Sequence, residues 1–258
     1  MTSVLLTDAP FPYDGVSRVD VYVSSISLAP QKDTAEGLPG WIKVANPERT
    51  FNLLDLQNGT TALLGASEVP AGQYQAVQVV VDPARSSITL DDGTVLGPVD
   101  GTTGPGIDWQ SKAEHPSLFA MVEDPVAISP DGEQVVVDFD VGRSFRYDGA
   151  NHFTFVPWLR AISSGHSGAV AGSAVRADGS GPIARAAVEI HLSLDSGHVE
   201  GPLAATTRTA ADGSFRAAFL RPGRYHVVVE DLAREVTSDP VPVQVTAGTT
   251  ADVGALEF

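Results

Sequence analysis

The chain has 258 residues, no cysteine and a formal net charge of −16. A chain of this length is expected to form two domains, each with its own core. The absence of cysteine excludes disulfides, thiolate metal sites and cysteine nucleophiles. We find no basic patch that could replace the counterions of a nucleic acid, so we expect no nucleic-acid partner; divalent cations suit an acidic chain better.

Alternation of apolar and polar residues dominates the chain and predicts an all-β protein. Val19, Val21 and Val23 share one face of the first such run, and Val77–Val81 and Val188–Leu194 repeat the pattern. Asp-Gly and Pro-Gly pairs separate the runs, as is typical of strands joined by turns. Helical spacing is confined to Thr60–Gly65, where we expect one or two turns.

Two copies of one loop signature predict two β-sandwich modules in series. Pro70–Tyr74 (PAGQY) and Arg221–Tyr225 (RPGRY) each precede an alternating strand. Proline presets φ and glycine accepts positive φ, so we expect a sharp turn before each strand. The tyrosine is expected to bury its ring while its hydroxyl finds a hydrogen-bond partner at the corner, as in sandwich folds.

A change in composition predicts the domain boundary. Residues 164–168 (SGHSG) are small and polar and lie between two apolar strands. We interpret them as a linker between a first domain over 1–163 and a second over 169–258. Within the first domain, residues 97–117 are rich in Gly, Pro and Thr, which predicts a long loop, a common place for binding residues.

Four segments follow one another in the second domain: Gly168–Val175, Pro182–Val188, Thr209–Phe215 and Leu220–Tyr225. In this order they resemble the carboxypeptidase regulatory-like family of transthyretin-like sandwiches. The resemblance implies a seven-stranded Greek-key sandwich without catalytic activity, which serves as a spacer, stabiliser or adhesive module on secreted proteins. The fold's usual label, carbohydrate-binding-like, describes shape and is weak evidence for sugar binding.

Four motifs mark the first domain: Leu6–Pro10, Phe51–Gly59, Val69–Tyr74 and Val137–Val141. They resemble an uncharacterised domain of bacterial and archaeal secreted lipoproteins. The resemblance implies an extracellular, cell-surface or periplasmic location in a bacterium and a lipid anchor in the precursor. A start at Met1 that runs directly into strand-like sequence fits a removed signal peptide. No apolar run reaches the roughly 18–20 residues of a transmembrane span.

Paired carboxylates predict a candidate cation site. Asp138 and Asp140 lie two apart on a predicted strand and therefore project from one face. Together with Asp8 they are candidate ligands for Ca²⁺, which prefers carboxylate oxygens. No partnering acid is evident for acid–base catalysis, so we expect no enzyme, no catalytic residues and no required cofactor.

The same carboxylates have structural alternatives. Asp8 could cap the turn set by Pro10. The strand carboxylates could lie on a solvated face or pair with a nearby arginine, namely Arg143, Arg146 or Arg160.

One aromatic residue and two histidines raise further alternatives. Trp109, in the predicted loop, is a candidate sugar-stacking platform, and the alternative is that it packs in the core or anchors the loop. No His-x-x-x-His spacing occurs, which argues against a zinc centre. His191 and His226 fall on the outward faces of their strands and are expected to be surface residues.

These observations favour a non-enzymatic secreted or cell-surface protein for adhesion, assembly or ligand display, with the second domain as spacer. One alternative is a filament or matrix subunit that binds copies of itself by β-strand exchange through Thr2–Thr7 or Thr249–Phe258. The PAGQY corner is similar to fimbrillin-type surface proteins, which assemble in that way. The other alternative is a module that binds envelope glycans or proteins, with or without Ca²⁺.

Overall fold

The computed structural model describes residues 1–9, 13, 15–31, 40–101, 104–194 and 201–258. The chain divides into two compact units, Met1–Ser163 and Ser164–Phe258. Both consist almost entirely of β-strands, so the prediction of an all-β protein is confirmed. Within the described ranges no helix has the length and apolar character needed to cross a membrane.

The strands of unit 1 follow one another with one short helix near the end. They are β1 (Thr2–Ala9), β2 (Val16–Pro30), β3 (Ile42–Ala45), β4 (Arg49–Asn52), β5 (Ala62–Ser67), β6 (Gly72–Leu90), β7 (Val95–Leu96), β8 (Gly106–Asp108), β9 (Ser117–Ile128), β10 (Gln134–Asp140), α1 (Val141–Ser144), β11 (Phe145–Gly149), β12 (His152–Phe155) and β13 (Leu159–Ser163).

Unit 1 contains a ten-stranded sheet and a three-stranded sheet. The large sheet has the order β3-β2-β6-β9-β13-β10-β1-β5, with β4 added to β2 and β7 to β6, and the small sheet has the order β11-β12-β8. Most neighbours are antiparallel, but β1 runs parallel to β10, β13 to β9 and, in the small sheet, β12 to β8. The alternating side chains of one face form the core, and β8, β11 and β12 add Ile107 and three phenylalanines to it.

The two ends of the large sheet approach each other. A Cβ atom added at Gly65 of β5 would lie 2.1 Å from Cβ of Ala45 on β3. Only glycine at position 65 leaves room for the Ala45 methyl group against the backbone of β5. Each of these end strands is therefore covered by the other, which leaves less free edge for another chain to pair with.

Unit 2 is a two-sheet sandwich. Its strands are β14 (Gly168–Val175), β15 (Ala187–Leu192), β16 (Leu203–Arg208), β17 (Ser214–Leu220), β18 (Gly223–Asp231), β19 (Val236–Thr237), β20 (Val241–Val245) and β21 (Thr250–Glu257). One sheet has the order β17-β14-β21, and the other has β16-β15-β18 with β19 and β20 both on β18. Seven strands have five residues or more, and the two-residue β19 is the eighth.

The tyrosine corners form in both units. The Tyr74 hydroxyl donates to the carbonyl of Pro70 at 2.8 Å, and the Tyr225 hydroxyl donates to the carbonyl of Arg221 at the same distance. Both rings are buried, and burial raises the pKa of Tyr74. The expected positive φ is found at Gly72, where φ is +157°, but not at Gly223.

Local helical spacing was misleading in unit 1. The predicted turns over Thr60–Gly65 are wrong, because β5 occupies Ala62–Ser67 and pairs with β1. The helical segments of the unit are instead a 3-10 turn at Leu53–Leu56 and the four-residue α1. The predicted linker likewise contains a 3-10 turn, Ser164–His166, and its last residue already begins β14.

Candidate functional site

Three carboxylates lie near one end of the parallel pair β1 and β10, Asp138 and Asp140 on one face of the sheet and Asp8, the register partner of Phe139, on the other. Thr7 is the register partner of Asp138, Asp8 of Phe139 and Ala9 of Asp140. Parallel strands end together, so Asp8, Asp138 and Asp140 lie close in space although the chain separates them. Alternation along β10 puts Asp138 and Asp140 on one face.

Asp138 is paired with an arginine. Its side chain is 11% exposed, and its Oδ2 accepts a hydrogen bond from Nε of Arg160 at 2.8 Å, with Nη2 of Arg160 2.7 Å away. The pair exists because β13 lies antiparallel beside β10 and puts Arg160 directly opposite Asp138. The second oxygen, Oδ1, is buried without a hydrogen-bond partner.

Asp140 ends β10 and begins α1. Its Oδ1 accepts from the backbone N–H of Arg143 at 2.9 Å, the hydrogen bond of an N-cap residue, and the Arg143 guanidinium lies 3.5 Å from Oδ2. Burial raises the pKa of Asp140, and the charge of Asp138 adds to the rise, while the contacts with Arg143 oppose it.

Asp8 is the most enclosed of the three carboxylates. Its Oδ1 accepts from the backbone N–H of Val141 at 3.0 Å, and its Oδ2 is buried with no partner. Burial holds the pKa of Asp8 well above its usual range; the hydrogen bond from Val141 opposes the rise, and the charges of Asp138 and Asp140 add to it. The predicted cap on Pro10 falls outside the described residues.

Each carboxylate of this cluster thus has a partner within the protein. The sequence left open whether Asp138 pairs with a nearby arginine. In the structure it does, and the arginine is Arg160. In the described part of the chain no three His, Asp or Glu side chains are gathered as a metal ion requires. Calcium at Asp8, Asp138 and Asp140 stays a prediction, and a cation there would compete with Arg160.

Trp109 corrects the expectation of a stacking platform. Its side chain is 5% exposed, and its ring centroid lies 4.4 Å from that of Phe155 and 6.0 Å from that of Phe145 in an edge-on contact. A sugar needs an exposed aromatic face, which Trp109 does not offer. In the structure Trp109 instead packs in the core and anchors its loop, which was the alternative interpretation.

Next to Trp109 lies a groove of about 530 Å³, a volume within the ordinary range of ligand sites. Three chain segments line it: Pro83–Ala84, Pro98–Gly101 and Asp108–Glu114. Its rim carries the carboxylates of Asp100, Asp108 and Glu114 and the ammonium of Lys112. The Asp108 carboxylate is already engaged, since it accepts from the backbone N–H and the side-chain amide of Gln110.

Sequence reasoning missed one wall of this groove. Residues 83–86 bulge out of β6, because Tyr22 pairs with Asp82 while Asp20 pairs with Ser87. The bulge is held by Asp82, which accepts from the N–H of Ala84 at 3.0 Å, and by the Ser86 hydroxyl, which accepts from the N–H of Tyr22. The available signal was a proline inside an apolar strand, which marks a bulge or an edge.

The terminal strands are paired within the chain. Thr2–Thr7 and Thr249–Phe258 are strands in large part, as expected, but β1 lies between β10 and β5 and β21 pairs with β14. Donation of either segment to another copy would first break these ladders. Strand exchange through the termini stays a prediction, and it would require these ladders to open.

Comparison with protein families identifies the first unit. Residues 1–157 match the model of a family described as a domain of unknown function, DUF4382. The chain belongs to this family. No curated protein matches the chain. The lipoprotein character of unit 1 and the carboxypeptidase regulatory-like resemblance of unit 2 stay predictions.

Solved structures give distant similarities only. The minor pilin GBS52 of Streptococcus agalactiae has 12% identity and a TM-score of 0.25 over 100% of this chain and 96% of that one. Shaft pilin SpaA of Lactobacillus rhamnosus GG has 10% identity and a TM-score of 0.28 over 99% and 97%. The major pilin subunit BcpA of Bacillus cereus has 8% identity and a TM-score of 0.26 over 99% and 69%. Similarities at this level carry no argument about function.

Proposed function

We propose that this chain is a non-catalytic extracellular protein that holds a ligand in the groove of unit 1, with unit 2 as a spacer. The groove beside Trp109 is the observation that carries the proposal. The groove has the volume of a ligand site, and packed aromatic rings lie beneath its exposed rim. Binding residues on loops above a rigid scaffold are the common arrangement in proteins that recognise ligands.

The rim favours a neutral or cationic ligand. Asp100, Asp108 and Glu114 outnumber Lys112, and the chain as a whole carries a formal charge of −16, so anionic ligands are repelled at long and short range. Free carboxylate oxygens accept hydrogen bonds from ligand hydroxyl or ammonium groups. A glycan hydroxyl or a basic side chain of an envelope protein has this chemistry.

The lining argues against catalysis. Among the described lining residues there is no histidine, and the hydroxyl of Ser111, the only one there, accepts from the backbone N–H of Ala113 at 3.3 Å. Recognition without turnover is the function that such a set of side chains supports.

The test is a binding screen with variants that fill the groove. Glycan and peptide arrays are probed with the wild-type chain and with Ala84→Trp and Ala113→Trp, each of which puts an indole into the groove. Ala233→Trp, at an exposed position of unit 2, is the matched control. Hits that vanish in both groove variants and persist in the control support the proposal. Hits that ignore the groove variants, or no hits on either array, overturn it.

A further inference from the structure

Three exposed apolar side chains lie together on the outer face of the large sheet of unit 1. Phe119 and Met121 of β9 alternate with the core residues Leu118 and Ala120, so they point away from the core, and they are 48% and 60% exposed. Trp41, the residue before β3, is 43% exposed, and its ring centroid lies 5.6 Å from that of Phe119. Single exposed apolar residues are ordinary, but a cluster of large ones marks a binding surface.

The two aromatic rings meet above the strands that separate them. Trp41 comes just before β3, which pairs with β2; β2 pairs with β6, and β6 pairs with β9, the strand of Phe119. Three strand spacings, about 14 Å, therefore separate β3 from β9. The side chains must lean towards each other over β2 and β6, where the outward residues Ser27 and Ala76 are small and only 7% and 6% exposed. Exposures near one half fit rings that cover these strands with one face and offer the other face to solvent.

A neutral hydrogen-bonding pair lies beside the rings. Gln78 is the register partner of Phe119, and Ser117 lies two residues before Phe119, so all three share the outer face. Nε2 of Gln78 donates to the hydroxyl oxygen of Ser117 at 2.9 Å, at an exposed position. This bond orients the amide, and it leaves the carbonyl oxygen of Gln78 as an acceptor and the O–H of Ser117 as a donor.

No carboxylate is in register with the rings among the described residues. The residues in register with Phe119 and Met121 along the sheet are Gln78, Ser27, Lys43, Ala76, Ala29 and Arg160. Arg160 is already paired with Asp138. In a chain with a formal charge of −16, the acidic side chains thus lie away from this face. The total charge repels a nucleic acid, whose bases could otherwise stack on the rings, and an uncharged ligand suits the face best.

We propose that the face formed by Trp41, Phe119, Met121, Gln78 and Ser117 binds a neutral glycan chain. A pyranose has an apolar face of C–H bonds, which packs on an aromatic ring, and a rim of hydroxyl groups, which donate and accept hydrogen bonds. A lipid or an apolar protein surface would bury the Gln78 carbonyl without a donor. None of these residues lines the groove beside Trp109, so this site is independent of the function proposed there.

The experiment is affinity electrophoresis in native gels that contain hydroxyethylcellulose, galactomannan, dextran or mixed-linkage β-glucan, followed by calorimetry with any polysaccharide that retards the chain. Trp41→Ala and Phe119→Ala should each weaken binding about five- to tenfold, the value of one aromatic contact, and Phe119→Tyr, which keeps a ring, should bind as the wild type does. Tyr147→Ala is the matched control, because Tyr147 is as exposed as Trp41 but lies on the small sheet. Circular dichroism melts confirm that each variant is folded, and leucine replaces alanine in any variant that is not.

The outcomes are distinct. Retardation that both alanine variants lose and Tyr147→Ala keeps supports the site. No retardation in any of the gels, or retardation that both alanine variants keep, overturns it. If Ala113→Trp alone abolishes retardation, the glycan binds in the groove, and this proposal fails while the proposed function stands. A wild-type dimer in sedimentation that Trp41→Ala converts to a monomer, without glycan binding, makes the face an interface between copies and also overturns the proposal.

Discussion

Replacement of Arg160 tests what the carboxylate cluster is for. Arg160→Met keeps the length of the side chain but leaves the Asp138 carboxylate, 11% exposed, without its guanidinium. Loss of one partner of a buried pair costs about 3–5 kcal/mol. Because Arg160 itself is 30% exposed and screened by water, we expect a smaller loss in the free energy of unfolding, about 2–3 kcal/mol.

The assay is urea unfolding at pH 7, followed by tryptophan fluorescence. Trp41, Trp109 and Trp158 all lie in unit 1, so the signal reports that unit alone. Asp138→Asn removes the orphaned charge, and the double variant should recover at least about 1 kcal/mol of the summed losses.

An exposed ion pair supplies the control. Arg18 pairs with Asp20 at 2.8 Å, and its side chain is 51% exposed, so Arg18→Met should lower the free energy of unfolding much less than Arg160→Met does. A loss below about 0.5 kcal/mol for Arg160→Met, or equal losses for both arginines, would refute the burial argument.

The same unfolding assay also tests the predicted calcium site. If Ca²⁺ binds at Asp8, Asp138 and Asp140, millimolar Ca²⁺ raises the unfolding midpoint through mass action, and chelator reverses the rise. The rise should be larger in Arg160→Met, where no guanidinium competes for the Asp138 carboxylate, and absent in Asp138→Asn. No rise in any variant would contradict the calcium prediction and leave the cluster as a structural one.

Three further predictions concern the fold. The pKa of Asp8 is raised above its unfolded value near 3.8, so its contribution to stability is present below that pH and lost as pH rises through the folded pKa. Asp8→Asn keeps an acceptor for the Val141 N–H but does not titrate, so the midpoint of its fluorescence-detected melts should decline less between pH 4 and 8 than that of the wild type. A decline as steep as in the wild type would refute this explanation. Tyr225→Phe should cost unit 2 about 1 kcal/mol, the value of one hydrogen bond, in circular dichroism melts, and an unchanged midpoint would contradict it. Gly65→Ala should cost about 1–3 kcal/mol by overpacking, and Ala45→Gly in the same chain should restore most of it; failure of that rescue would place the strain elsewhere.

Much of the fold could be predicted because its signals are local. Alternation with a period of two marks strands such as Val77–Val81, and both tyrosine corners form with the predicted hydroxyl hydrogen bond. The error at Thr60–Gly65 has the opposite cause. A short apolar segment has no decisive period of its own, and pairing with β1 overrides its local preference.

The candidate sites could be predicted only in part. Asp138 and Asp140 were placed on one strand from their spacing, but their partners depend on which strands become neighbours. The sequence left Trp109 open between a stacking platform and a core residue, because nothing near it in the sequence shows the phenylalanines of β11 and β12 that enclose it. Two of the three segments of the groove lie in the predicted loop over residues 97–117, but the third, Pro83–Ala84, joins them only through the bulge of β6.

The sequence by itself determined that this protein is all-β, acidic and without thiol chemistry, and where its two corners turn. These properties depend on composition, side-chain alternation and turn residues, which act over a few positions. Only the tertiary structure decided that Arg160 lies opposite Asp138 and that the rings of Trp41 and Phe119 meet. Strand order and register set those contacts. Strand order and register are themselves decided by how the whole of each core packs, because a strand that slipped by one residue would turn every one of its side chains to the other face of the sheet.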